Sequence, residues 1–131
     1  MHVLIVEDNA FNAFCLTRLL QASCQHIKVS VVNNSVNAYN FFLDQVPSFV
    51  VLDGCLSVHD EQHAHGPVLA DLIWTAWPKM PVIAWTNCDT TRQTFDAVFK
   101  KHKKNFNDIY CWSKVVSQTS IAKSLAYIRA N

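Results

Sequence analysis

Glycine is nearly missing from this sequence, with two residues in 131, Gly54 and Gly66. No internal repeat, low-complexity tract or linker interrupts the chain. One domain with one hydrophobic core is therefore expected over residues 1–131. Charge is also sparse: 16% of residues, netting +1, with a pI near 7.7. That balance leaves no basic footprint, so neither nucleic acid nor an anionic membrane surface is an expected partner of this chain alone. No uninterrupted apolar run approaches the roughly 20 residues of a membrane span. The opening MHVLIVEDNA meets two acids after a few apolar residues, unlike a secretory leader. The five cysteines are odd in number and form no C-x-x-C pair. Their pattern speaks against a disulfide framework and a zinc ribbon, and for reduced thiols in a cytoplasm. What is present is a chain that is 50% apolar, the composition of a globular domain.

Three short runs rich in Val and Ile, Val3 to Val6, Phe49 to Leu52 and Pro81 to Trp85, end in acidic or hydroxyl residues. They lack strict alternation, as strands buried on both faces do. Lys28 to Val32 and Ile109 to Trp112 read as two further strands. Helical spacing lies between them. Residues 11–22 place Phe11, Cys15, Leu19 and Ala22 on one stripe, with Leu16 and Leu20 beside it. Ser35 opens a helix carrying Val36, Tyr39, Phe42, Leu43 and Val46. Gly66 and Pro67 start a third, through Leu69, Leu72, Ile73 and Trp77, and Pro78 stops it. A fourth runs from about Thr90 with Phe95, Val98 and Phe99 inward, and the last turns Ile121, Leu125 and Ile128 to one side. Five alternations of strand and helix predict an α/β (βα)5 unit, a doubly wound parallel sheet covered on both faces.

In open parallel sheets, ligands bind beyond the carboxyl ends of the strands. Those ends carry Glu7 and Asp8, then Asp53, Thr86, and Ser113 with Lys114. Three carboxylates brought together repel unless a cation joins them, and hard oxygen ligands suit Mg2+. A carboxylate beside such an ion can be a nucleophile toward phosphorus, while a lysine and a hydroxyl neutralise or bind the transferring oxygens. These residues together compose a phosphoaspartate site.

The same residues carry a resemblance. HVLIVEDNAFN, FVVLDGCLS, PVIAWTN and IYCWSK resemble, in order and across essentially the whole chain, the strands of the CheY-like receiver family of response regulators. The form VEDN-x-x-N, with Asn9 and Asn12, is most similar to receivers attached to hybrid sensor kinases. The resemblance implies a flavodoxin-like five-stranded sheet in the order 2-1-3-4-5, with Asp53 as phosphoacceptor in two-component signalling. Asp8 and Asp53 would bind Mg2+ (or Mn2+) directly, Glu7 through water, and Cys55 through its backbone carbonyl. Thr86 would hydrogen-bond the phosphoryl group and Lys114 would pair with it. The donor would be a sensor histidine kinase or a histidine phosphotransfer protein. The family catalyses its own phosphorylation and hydrolysis rather than turnover of a separate substrate. Its output, including homodimer formation, runs through the face made by the fourth helix, fifth strand and fifth helix.

Several positions depart from the family's pattern. Val115 follows Lys114 where proline is usual, and Ser57 stands for a common proline. Cys111 occupies the place of the aromatic that rotates inward on activation, with Tyr110 and Trp112 expected to point the other way. Cys55 and Cys88 fall where family members modulate hydrolysis, facing each other across the entrance, which admits a redox gate. The segment SVHDEQHAH is longer than usual; His59, His63 and His65 beside Asp60 and Glu61 admit a transition-metal site, a pH-sensitive flap or a solvated loop. KKHKK at 100–104 reads as a solvated face or a docking patch.

Other functions fit less well. A degenerate receiver that binds a partner constitutively would explain Cys111 and Val115. A haloacid-dehalogenase-type phosphatase would need an acid where Cys55 stands, and an FMN-binding flavodoxin would need a Gly/Ser/Thr-rich loop after the first strand. The chain ends about where its fifth helix does, as expected of a stand-alone receiver or of one cut from a longer protein.

Overall fold

The computed structural model describes residues 1–56 and 65–130. Five strands, β1 (His2–Val6), β2 (Lys28–Val32), β3 (Phe49–Asp53), β4 (Val82–Trp85) and β5 (Cys111–Trp112), form one parallel sheet in the order β2-β1-β3-β4-β5. Five helices alternate with them: α1 (Ala10–Ser23), α2 (Ser35–Asp44), α3 (Gly66–Ala76), α4 (Asp89–Lys101) and α5 (Gln118–Ala130). The (βα)5 architecture and strand order anticipated above are both present.

Every residue of β3 and β4 is buried, whereas no residue of β2, at the sheet edge, is fully buried. That difference explains why the central strands read as continuous apolar runs. Side chains on one face of the sheet meet α1 and α5 through Leu16, Leu20, Ile121 and Leu125. The other face meets α2, α3 and α4 through Ala38, Phe42, Leu69, Ile73, Phe95 and Phe99. Strand alternation distributes them: Val3 and Ile5 face the first layer, Leu4 and Val6 the second.

Local signals position the helix ends. Asn9 and Asn34 cap α1 and α2 by accepting from the N–H of Asn12 and Asn37 at 2.9 and 2.8 Å. Pro67 sits in the first turn of α3, where a missing N–H is tolerated. The C-terminal end of α4 closes in a Schellman motif. Lys104 N–H bonds the Phe99 carbonyl at 2.8 Å and Lys103 N–H that of Lys100 at 3.0 Å. Lys103 adopts φ 59, the left-handed conformation that usually selects glycine there.

Some inward faces differ from expectation. In α1 the buried side chains are Ala13, Leu16 and Leu20, while Phe11 is 72% exposed and Cys15 is exposed. The helix is apolar around more than half its circumference, so periodicity alone does not choose a face, and the small Ala13 allows closer approach to the sheet. In α2, Ala38 and Phe42 are buried, whereas Tyr39 and Leu43 are exposed; Val46 lies past the end of the helix and is exposed too. In α3, Leu72 is exposed too. Strand β5 is two residues long, and Tyr110 lies in the turn before it, so strand alternation does not govern its side chain. Tyr110 packs on Phe99 of α4 and edge-on against Tyr127 of α5, on the same side as Cys111, while Trp112 points to the opposite layer.

Candidate functional site

Register brings the expected residues to one rim. Val6 pairs with Leu52, Asp53 with Trp85 and Trp85 with Trp112, so Glu7, Asp53 and Trp85 lie level at the carboxyl edge. Asp8, Thr86 and Lys114 follow just beyond. Glu7, Asp8 and Asp53 each offer a carboxylate oxygen within 4.8 Å of the others.

Glu7 and Asp53 are buried and Asp8 is exposed. Burial pushes the Glu7 carboxyl up to about 7, reinforced by its hydrogen bond with Asp53 and opposed by Asn12 and Lys114. Lys114 answers the charge: its Nζ lies 2.8 Å from Asp53 Oδ1 and 3.2 and 3.3 Å from the two Glu7 oxygens. The ammonium also sits 3.8 Å over the Trp85 ring, whose Nε1–H donates to the Ser113 carbonyl at 3.1 Å. The backbone of Lys114 is tied in turn, its N–H donating to Asn87 Oδ1 at 2.7 Å. Val115 after it is 87% exposed, and the described residues contain no cis peptide bond.

Asp53 Oδ1 accepts a further bond from the Cys55 N–H at 3.3 Å. Thr86 is buried, and its hydroxyl oxygen accepts from the Cys88 N–H at 3.1 Å. That geometry leaves the hydroxyl proton able to donate elsewhere. Both glycines serve this rim. A Cβ on Gly66 would stand 2.2 Å from the Asp53 carbonyl oxygen, and one on Gly54 would stand 2.4 Å from Thr91 Cγ2. Only glycine permits those approaches without displacement.

Glu7, Asp8, Asp53 and Lys114 meet at this rim, and Thr86 follows directly on the end of β4. Cys55 and Cys88 are exposed at its entrance, both against Thr91. Cys55 Sγ lies 4.0 Å from the Thr91 hydroxyl, and Thr91 holds the Cys88 thiol below its ordinary pKa. Cys111 turns to α4, where burial pushes its thiol up against the opposing pull of Arg92. Ser57 and the acid and histidine positions 59–63 lie outside the described residues; His65 is exposed at the N-cap of α3.

Three residues outside the expected site set contribute to it. Asn12 donates to Glu7 Oε1 at 2.8 Å, Trp85 supports Lys114, and Asn87 anchors its backbone. Asn12 alone left a signal, through VEDN-x-x-N.

No family model and no curated protein matches the sequence. Solved structures do match the fold. The signal receiver domain of a DNA binding response regulator from Colwellia psychrerythraea 34H superposes with TM-score 0.79 at 21% identity, covering 100% of this chain and 99% of that one. The receiver domain of a modulated diguanylate cyclase from Desulfovibrio desulfuricans G20 gives 0.75 at 22%, covering 97% and 91%. That of an HD domain-containing protein from Pseudomonas fluorescens Pf-5 gives 0.79 at 14%, covering 97% and 85%. At these identities the likeness is one of fold: the chain has the fold of signal receiver domains. Among the described residues, no helix is long and apolar enough to cross a membrane.

Proposed function

We propose that residues 1–131 are one receiver domain of a two-component system, working in the cytoplasm. Asp53 accepts a phosphoryl group from the phosphohistidine of a sensor histidine kinase or histidine phosphotransfer protein. The observation that carries this reading is the Lys114 ammonium 2.8 Å from Asp53, within a cluster of three carboxylates.

The carboxylate set fits a hard divalent cation, Mg2+ or Mn2+: oxygen donors converge, and their mutual repulsion needs more positive charge than one lysine supplies. Asp8 and Asp53 would hold it directly, Glu7 through water and Cys55 through its carbonyl. When bound, the cation offsets charge on the transferring oxygens. The chain's own residues do the rest. An Asp53 oxygen attacks phosphorus as the phosphorus–nitrogen bond to the donor imidazole breaks, and the imidazole leaves with the electron pair. Lys114, already at the acceptor oxygen, neutralises a phosphoryl oxygen, and Thr86 donates its hydroxyl proton to another. Glu7, aligned by Asn12, holds Lys114 in place. Water attack on phosphorus breaks its bond to the Asp53 oxygen and releases inorganic phosphate, which restores the carboxylate with no turnover of a separate substrate.

Output is assigned to the face of α4, β5 and α5, homodimer contacts included. The constitutive-partner reading draws on two features, Cys111 in place of a switching aromatic and Val115 in place of proline. Tyr110, packed between α4 and α5, supplies an aromatic to that face by another route.

Intact-mass spectrometry with acetyl phosphate and Mg2+ tests the proposal. A gain of one phosphoryl group, lost in Asp53→Asn and with chelator, is expected. No gain under conditions where the protein is folded would favour the constitutive reading instead.

A further inference from the structure

A second concave feature lies at the opposite end of the sheet. A cavity of about 550 Å3 is walled partly by Met1, Ser48, Pro81 and Tyr110, each the residue just before a strand. A five-residue strand such as β3 spans about 16 Å, so this cavity is at the far pole from Asp53. Its size falls within the range of small-molecule sites, about 300–1,000 Å3.

The lining combines an apolar floor with a cationic rim. Trp74, Met80 and Phe99 are buried side chains of the core that reach it. Lys79, Lys103 and Lys104 also line it, and among the described residues no acidic side chain does.

The basic run at 100–104 divides accordingly. Lys100 pairs with Asp96 at 3.0 Å, and Lys101 and His102 pair with Asp71 at 3.0 and 2.6 Å, clamping α3 to α4. Lys103 and Lys104 turn to the cavity instead. Lys103 does so from a left-handed backbone position where glycine would be less strained. Lys104 runs along the Trp74 ring, its Nζ 5.4 Å from the centroid and bonded to the Pro78 carbonyl. Burial pushes that ammonium below the ordinary lysine value. A cation drawn over an aromatic wall, beside a second one held at a conformational cost, is an arrangement that an anion would complete.

We propose that this cavity binds a small amphipathic anion, its apolar body against Met1, Pro81 and Tyr110 and its carboxylate or sulfonate between Lys103 and Lys104. Lys79 closes the rim. The site is independent of the phosphoacceptor. It nonetheless touches the output side, because Phe99 and Tyr110 pack on each other between α4 and the start of β5.

Naphthoate serves as the probe, followed in the nitrogen–proton correlation spectrum of the full chain. Saturable shifts are expected at the Trp74 indole and at the Tyr110 and Lys104 amides. The uncharged naphthamide should bind at least about fivefold more weakly, the effect of removing one partly solvated charge pair. Lys103→Gly should weaken naphthoate binding by a similar factor while raising the thermal midpoint, because the left-handed backbone strain is relieved. Lys104→Gln should weaken binding as well. A purely structural role for Lys103 would move stability and leave affinity untouched. Absence of saturable shifts, equal affinity for naphthoate and naphthamide, or undiminished binding in folded Lys103→Gly would each overturn the proposal.

Discussion

Lys114→Met tests the electrostatic account of the rim directly, since it removes the ammonium and keeps an apolar stem over Trp85. The lysine side chain is 21% exposed, against 7% for Asp53 and 1% for Glu7. At 2.8 Å and an effective dielectric near 20, its gross attraction to Asp53 is about 6 kcal/mol. Desolvation of all three groups offsets most of that. Removing one partner of a buried ion pair costs about 3–5 kcal/mol because the survivor is stranded. Two effects lower the figure here: the lysine is partly solvated, and Glu7 can retain a proton near neutral pH. We expect a net loss of about 2 kcal/mol without divalent cation. For a domain of this size that is a fall of roughly 6–10 °C in thermal midpoint. Saturating Mg2+ takes over part of the neutralisation, so the deficit should shrink by about half or more. Urea and thermal unfolding, each in chelator and in Mg2+, measure both quantities. If the variant matches the parent in chelator, or if Mg2+ stabilises the two equally, Lys114 is not the counter-charge of this cluster.

Other substitutions probe the scaffold around it. Gly66→Ala places a methyl 2.2 Å from the Asp53 carbonyl oxygen and 2.9 Å from Phe95 Cζ. Overpacking less the gain in helix propensity should cost about 2 kcal/mol, read as a lower urea midpoint with slower phosphorylation. Ser124 is fully buried, accepts from Trp112 Nε1 at 2.9 Å and donates to the Ile109 carbonyl at 2.6 Å. Ser124→Ala strands that indole N–H and should destabilise by about 1–3 kcal/mol in the same assay. Glu7 is raised from 4.5 to about 7, so the stability its proton supplies is complete below the unfolded value and is lost as pH rises through about 7. Mg2+ competes with that proton, so its affinity should climb over the same interval. Calorimetric titration across pH would show the climb, and Glu7→Gln should flatten it.

The sheet and its order were legible because β1, β3 and β4 are buried on both faces and so read as unbroken apolar runs. The site was legible because acids and hydroxyls end those runs, and parallel register carries strand ends to a common rim. What stayed hidden depended on packing rather than pattern. Phe11 and Leu43 look like core residues by spacing, yet the smaller Ala13 and Ala38 are the ones that seat their helices. Tyr110 reads by strand alternation as opposed to Cys111, yet alternation ends where a two-residue strand ends. Trp85 reads as the last apolar residue of its strand, and nothing in one dimension shows that its ring lies beneath a lysine 29 positions further on. The splitting of KKHKK between paired and cavity-facing cations required the position of Asp71, a residue from another helix.

The lysine resting on Trp85 also makes the molecule its own optical gauge. Trp85 is 2% exposed, with its N–H fixed to the Ser113 carbonyl, so its ring has little freedom and little contact with solvent. A charge held over an indole face shifts the energy of its excited state, and displacing that charge changes emission colour and intensity. Any event that draws the Lys114 ammonium away from Asp53 is thereby written into the light of a native fluorophore. Trp74 and Trp77 belong to the opposite layer of the sheet, far from that ammonium in packing terms, while Trp112 lies beside Trp85 in the same layer; replacing all three by phenylalanine isolates the signal. Occupancy of the rim can then be timed during a single mixing event, without attaching a label to the surface that partners read.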